Sequence, residues 1–160
     1  MALGAAGCAG IAVGVSKMFS VSLPEELQTV KYPLKAKEAI IKCLLSDDVN
    51  AQMEHLNKAK HVCAGRYGHI SPQYNRLLCW QAKLASESTE CDVMSALLGE
   101  MLKKPHVGEA VEDEIRRWNY ANILLLAIKA KCASDYQASN STFTTALERL
   151  PEFMRNRIDL

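Results

Sequence analysis

Aromatic residues are scarce in this chain: two Trp, five Tyr and three Phe make up 6% of 160 residues. Sheets draw on aromatic and β-branched side chains in alternation, and no stretch here alternates convincingly, so an all-β fold is disfavoured. A charge excess is missing too. Nineteen Lys and Arg face eighteen Asp and Glu, and the resulting +1 gives no global field for nucleic acid or an anionic membrane. No apolar run reaches the roughly 18 residues of a membrane span. Eight Gly and five Pro are too few for a collagen-like or low-complexity chain. The patterns G-x-S-x-G, G-x-x-x-x-G-K-[ST], H-E-x-x-H and G-x-G-x-x-G are all absent. The expectation is a non-enzymatic protein with no catalytic residues, cofactor or metal.

What is present is helical punctuation. At 49% hydrophobic and 23% charged, the chain can bury a core. Ser22-Leu-Pro-Glu25 reads as a capping box opening a helix to about Val30. Pro33 starts a second helix from Leu34 to Leu45. Asp47 or Asp48 caps a third to about Ala64, ended by Gly65 and Gly68. Ser71-Pro72 opens a fourth to about Ala85, and Ser88 or Thr89 caps a fifth that closes before Pro105. From Glu109 to Cys132 the first turns are acidic and the last holds Lys129 and Lys131, as the helix dipole favours. Its expected buried stripe is Val111, Ile115, Trp118, Leu125, Ile128 and Cys132, and the wide apolar middle at Ile123 to Leu126 marks it as the central helix. A helix from Phe143 to Leu150 and a short turn after Pro151 complete the pattern. The fold class expected is all-α, with six or seven helices in antiparallel hairpins, as a bundle or short array.

Residues 2–15 stand apart from the domain expected over 21–160. Four of the eight glycines (Gly4, Gly7, Gly10, Gly14) lie there, and Gly10-Ile-Ala-Val-Gly14 is a small-residue helix-packing motif. Fourteen residues span about 21 Å as a helix, short of a bilayer of about 30 Å. The segment reads as a tail, with shallow membrane contact as the functional alternative.

Six cysteines (8, 43, 63, 79, 91, 132) are widely spaced, with no C-x-x-C. Cys43, Cys63, Cys91 and Cys132 fall at helical spacing from other apolar residues, where a reduced thiol packs as a small hydrophobe. No Lys or Arg precedes the apolar stretch after Met1, so no secretory signal is expected. Six reduced thiols in a cytoplasmic or nuclear protein is the expectation, against which the sequon Asn140-Ser141-Thr142 argues. His61, Cys63, His69 and Cys79 offer zinc donors at the wrong spacing; His61 and Cys63 on one helix point about 200° apart.

Residues 120–151 carry a helix-turn-helix pattern of about 34 residues. Leu126-Ala127, Asp135-Tyr136 at the turn, Ser139, Phe143, Ala146 and Pro151 fall at its large, small and proline positions. Ile123 stands in place of an aromatic and Ala130 in place of tyrosine. The stretch resembles a single tetratricopeptide (TPR-like) repeat. Such an array implies a concave surface lined by successive first helices, which docks a partner protein or peptide. On that reading the contacts are Tyr74, Arg76, Trp80, Lys83, Trp118 and Tyr120.

Charge is distributed unevenly. From His55 to Ser86 there are five basic residues and no acid, whereas Glu87 to Glu114 holds eight acids against Lys103 and Lys104. The basic stretch, interleaved with aromatics, gives the alternative of nucleic-acid binding through Lys58, Lys60, Arg66, Tyr67 and Arg76. The competing reading is that basic helices pack beside acidic ones, within one molecule or between copies as a homo-oligomer. Arg116 and Arg117, beside Glu112 to Glu114, read as exposed i,i+4 ion pairs.

Overall fold

The computed structural model describes residues 22–103, 107–134 and 141–149, and among them every regular element is a helix. Seven follow one another: α1 (Glu25–Gln28), α2 (Leu34–Leu44), α3 (Val49–Tyr67), α4 (Pro72–Ser86), α5 (Cys91–Leu102), α6 (Val111–Lys131) and α7 (Ser141–Arg149). The expected Gly-rich segment 2–15, the turn at Asp135-Tyr136 with Ser139, and the turn after Pro151 lie outside the described residues.

Local chemistry explains several starts. The Asp48 carboxylate accepts from the Ala51 N–H at 2.9 Å, and the Ser71 hydroxyl accepts from the Tyr74 N–H at 3.2 Å. Each satisfies one of the four N–H groups that a helix leaves unpaired at its start. Other expectations need correction. Pro24, not Ser22, caps α1, which stops at Gln28. Ser88 does not cap α5: its hydroxyl donates to the Ala85 carbonyl and accepts from the Glu90 N–H, holding the exit of α4. Gly65 lies inside α3, which continues to Tyr67 and ends at Gly68, where φ is +93° and glycine is favoured.

Two cores form, and α4 walls both. Leu77 and Trp80 pack with Leu27, Ile40, Leu56 and Cys63 of α1, α2 and α3. Leu78, Cys79, Ala82 and Ala85 pack with Met94, Leu98 and Met101 of α5 and with Ala121, Leu124 and Ile128 of α6. Helix α4 touches α1, α3, α5 and α6, and α5 also packs on α7. The central helix is therefore α4 rather than α6.

The buried face of α6 is also only in part the expected one. Val111 and Ile115 are 70% and 52% exposed, and Trp118 is half-buried. Leu125 and Ile128 are buried as expected, but they are joined by Asp113, Arg117, Ala121 and Leu124 in place of Val111 and Ile115. The physical reason is pairing. Arg117 makes three hydrogen bonds to the Glu109 carboxylate at 2.9–3.2 Å and donates to the Met101 carbonyl at 2.9 Å. Asp113 accepts from Arg76 and Arg116. A charge so satisfied can enter a core that an unpaired one cannot.

The cysteines divide. Cys43, Cys63 and Cys79 are free thiols, as expected, and all three are buried, which pushes them up to about 12, 11 and 12 respectively. Cys91 and Cys132, expected to be reduced, form a disulfide that joins the start of α5 to the residue that ends α6. The helices run antiparallel as a hairpin, so residues 41 apart in sequence become neighbours at its open end. None of the described helices is long and apolar enough to cross a membrane.

A candidate docking groove between two helices

An open groove of about 1180 Å³ lies along α4. Helices α3 and α5 flank α4 without packing closely on each other, so they form walls and α4 the floor. The walls present small residues, Ala64 and Gly65 on α3 and Ala96 and Gly99 on α5, while Tyr74 and Leu78 rise from the floor. Small walls bring an incoming chain close to two helix backbones, and the floor supplies apolar and aromatic surface.

One polar cluster spans the groove. The buried Lys60 ammonium donates to both oxygens of Glu100, at 2.8 and 2.9 Å, and the Tyr74 hydroxyl donates to Glu100 Oε2 at 2.6 Å. Lys60 Nζ also lies 5.4 Å from the centre of the Tyr74 ring. Burial lowers the Lys60 pKa against the opposing pull of Glu100, and burial and then the bond to Glu100 raise that of Tyr74. The Glu100 charge is thus neutralised from within. What remains at the rim is His61, Lys103 and His69, whose ring tilts against Tyr74 at 5.1 Å. The groove therefore sets one cation, Lys103, and two imidazoles beside the Tyr74 ring.

The residues expected to bind a partner do not converge on one surface. Tyr74 lines the groove, but Arg76, Trp80 and Tyr120 line a smaller cavity on the opposite side of α4. Trp80 is only 7% exposed and belongs to the core, so it is not a free contact. Lys83 stands over the Trp80 ring at 4.6 Å and pairs with Glu26 at 3.7 Å. Trp118 packs against the α5–α6 core with the Arg117 guanidinium 5.1 Å from its ring centre.

The nucleic-acid set is corrected in two places. Lys60 is bound to both oxygens of Glu100, so it is not free to track phosphates, and Arg76 has its Nε and Nη1 committed to Thr29, Pro72 and Asp113. Lys58, Arg66 and Tyr67 are exposed on α3, with the Arg66 guanidinium 5.7 Å from the Tyr67 ring centre. Arg117 is not in an exposed ion pair but buried against Glu109, while Arg116 pairs with Asp113 one turn back. Of the zinc candidates, Cys63 and Cys79 lie in different cores and His61 and His69 at the groove.

The groove itself was missed in the sequence. Its walls are alanine and glycine, which carry no chemical signal, and only the helix packing brings residues 64–65 and 96–99 to face each other. No protein-family model matches the chain, and no curated protein or solved structure matches it.

Proposed function

We propose that the protein is a non-enzymatic helical interaction module that docks an acidic, amphipathic segment of a partner protein in the groove between α3 and α5. The observation that carries this reading is the groove's composition: small walls, an aromatic floor at Tyr74, and a rim of Lys103, His61 and His69, none of which is in an ion pair among the described residues. An amphipathic helix laid in such a groove packs its apolar stripe on Tyr74 and the small walls and places its acids near the rim. Stepwise packing of α4 on α6 and α5 on α7 supports a short array of helical hairpins as the scaffold. Nothing in the geometry favours the nucleic-acid reading, and membrane contact through residues 2–15 lies outside the described residues. A disulfide persists in oxidising compartments, so the Cys91–Cys132 bridge supports residence there rather than in the cytosol or nucleus.

Gly65 provides the test. A Cβ added there meets nothing within 4 Å, so a side chain can fill the groove without disturbing the core. Peptides selected from a displayed random library should be rich in acidic and apolar residues at helical spacing. Gly65→Trp should weaken their binding at least about tenfold, while Gly65→Ala, better suited to a helix, raises stability by about 0.5–1 kcal/mol. Peptides that bind Gly65→Trp as well as the unaltered protein exclude the groove as the docking site.

A further inference from the structure

The other face of α4 holds a separate cavity of about 450 Å³ between α1, α4 and α6. This volume is within the range of small-molecule sites, about 300–1,000 Å³. Its inner wall carries two guanidinium groups, Arg76 from α4 and Arg116 from α6. Both bind the same oxygen, Oδ1 of the buried Asp113, at 3.3 and 2.7 Å. Two cations against one carboxylate leave one positive charge in excess at that wall.

The guanidinium donors are also incompletely used. Arg116 engages only Nη1, to Asp113 and, at 3.5 Å, to Asn75 Oδ1. Arg76 uses Nε on the Thr29 hydroxyl and Nη1 on Asp113 and the Pro72 carbonyl. Arg116 Nε and Nη2 and Arg76 Nη2 keep N–H groups with no acceptor among the described residues. The Trp80 indole lies beside them, 7% exposed, with its Nε1–H closed off from solvent and without an acceptor among the described residues.

The rim has the opposite sign. Glu25 and Glu26 line the outer edge from α1, and both are exposed. A polyanion entering past them is repelled, whereas one carboxylate matches the single excess charge inside. Arg presents a planar fork that a carboxylate fits with two parallel bonds. Of the two rim acids Glu26 already pairs with Lys83 at 3.7 Å, which leaves Glu25 to an ammonium group, and Tyr120 offers surface to whatever lies between.

We propose that this cavity binds a small zwitterion of the amino-acid class, its carboxylate held by Arg76 and Arg116 and its ammonium by Glu25. The test is calorimetric titration of the full chain with each of the twenty standard amino acids. For every binder, the matching acid without the amino group and the matching amine without the carboxylate follow, with inorganic phosphate alongside. At least one amino acid should bind, its amine should not, and its deaminated acid should bind more weakly. Arg116→Gln, which leaves Arg76 on Asp113, should weaken binding about tenfold or more, and Arg116→Lys should recover only part of it. Circular dichroism confirms that each variant is folded, and Arg66→Gln, outside the cavity, should bind normally. The proposal is overturned if no amino acid binds at concentrations on the order of 10 mM, if phosphate or the amine binds as well, or if folded Arg116→Gln binds unchanged.

Discussion

Lys60 and Glu100, forty residues apart, meet above Tyr74 with the ammonium within 2.9 Å of both carboxylate oxygens. The pair bridges two helices that otherwise stand apart. Lys60 is 6% exposed at its side chain and Glu100 32%, so the cation depends on its partner more than the carboxylate does.

Glu100→Gln therefore leaves a buried ammonium with only a neutral neighbour. The expected loss at pH 7 is about 2–4 kcal/mol, read from urea denaturation. The sign of its pH dependence follows from Lys60. Burial already lowers this pKa in the folded chain, so between the folded value and about 10.4 the unfolded chain binds more protons. That contribution to stability rises with pH. Removing Glu100 removes what opposes the lowering, so the deficit of the variant against the unaltered protein should shrink between pH 7 and pH 9.5. A deficit independent of pH means that Lys60 stays charged without its partner.

Arg117 and Glu109 form the most enclosed ion pair described, with side chains 5% and 4% exposed. Glu109→Gln should cost about 3–5 kcal/mol, because the guanidinium remains buried. For a chain of this length that lowers Tm by roughly 6–20 °C. The double variant Arg117→Met, Glu109→Leu should recover much of the loss. It should not recover all of it, since the Met101 carbonyl then lacks the donor it has at 2.9 Å. A double variant as unstable as Glu109→Gln would show that packing, not charge, governs the position.

The Cys91–Cys132 bridge closes a span of 41 residues. On loop-closure entropy a bridge of that span contributes up to about 4 kcal/mol. Non-reducing peptide mapping should recover the two cysteines in one linked product, while Cys43, Cys63 and Cys79 resist alkylation until the protein is denatured. Reductant should lower the Tm of the unaltered protein and leave that of Cys91→Ala, Cys132→Ala unchanged. Equal sensitivity of both proteins to reductant excludes the bridge as the cause.

Helix starts were legible in the sequence where a short polar side chain can reach its own backbone, as at Asp48 and Ser71. These are local interactions, written within a few residues. The helical class, the extent of α4 and the acidic start of α6 were legible for the same reason. The buried face of α6 was legible at Leu125 and Ile128 but not in the first half of the helix. Apolar periodicity selects Val111 and Ile115, whereas the chain turns Asp113 and Arg117 inward. What makes that tolerable is Arg76, Glu109 and the Met101 carbonyl, whose positions depend on the tertiary fold. The candidate sites were hidden likewise. Tyr74, Arg76, Trp80 and Tyr120 stood out individually, but the α4 surface separates Tyr74 from the other three.

Because α4 is a wall of both cores, neither half of the protein can open by itself without stripping one side of that helix. It is covered by α1 and α3 on one flank and by α5 and α6 on the other. Solvent exchange at its middle turns then requires the whole domain to unfold, whereas the ends of α2 can fray locally. The groove and the smaller cavity share this least yielding segment. Residues at either site that belong to α4 are held in place before any ligand arrives, and binding there costs little ordering of the backbone.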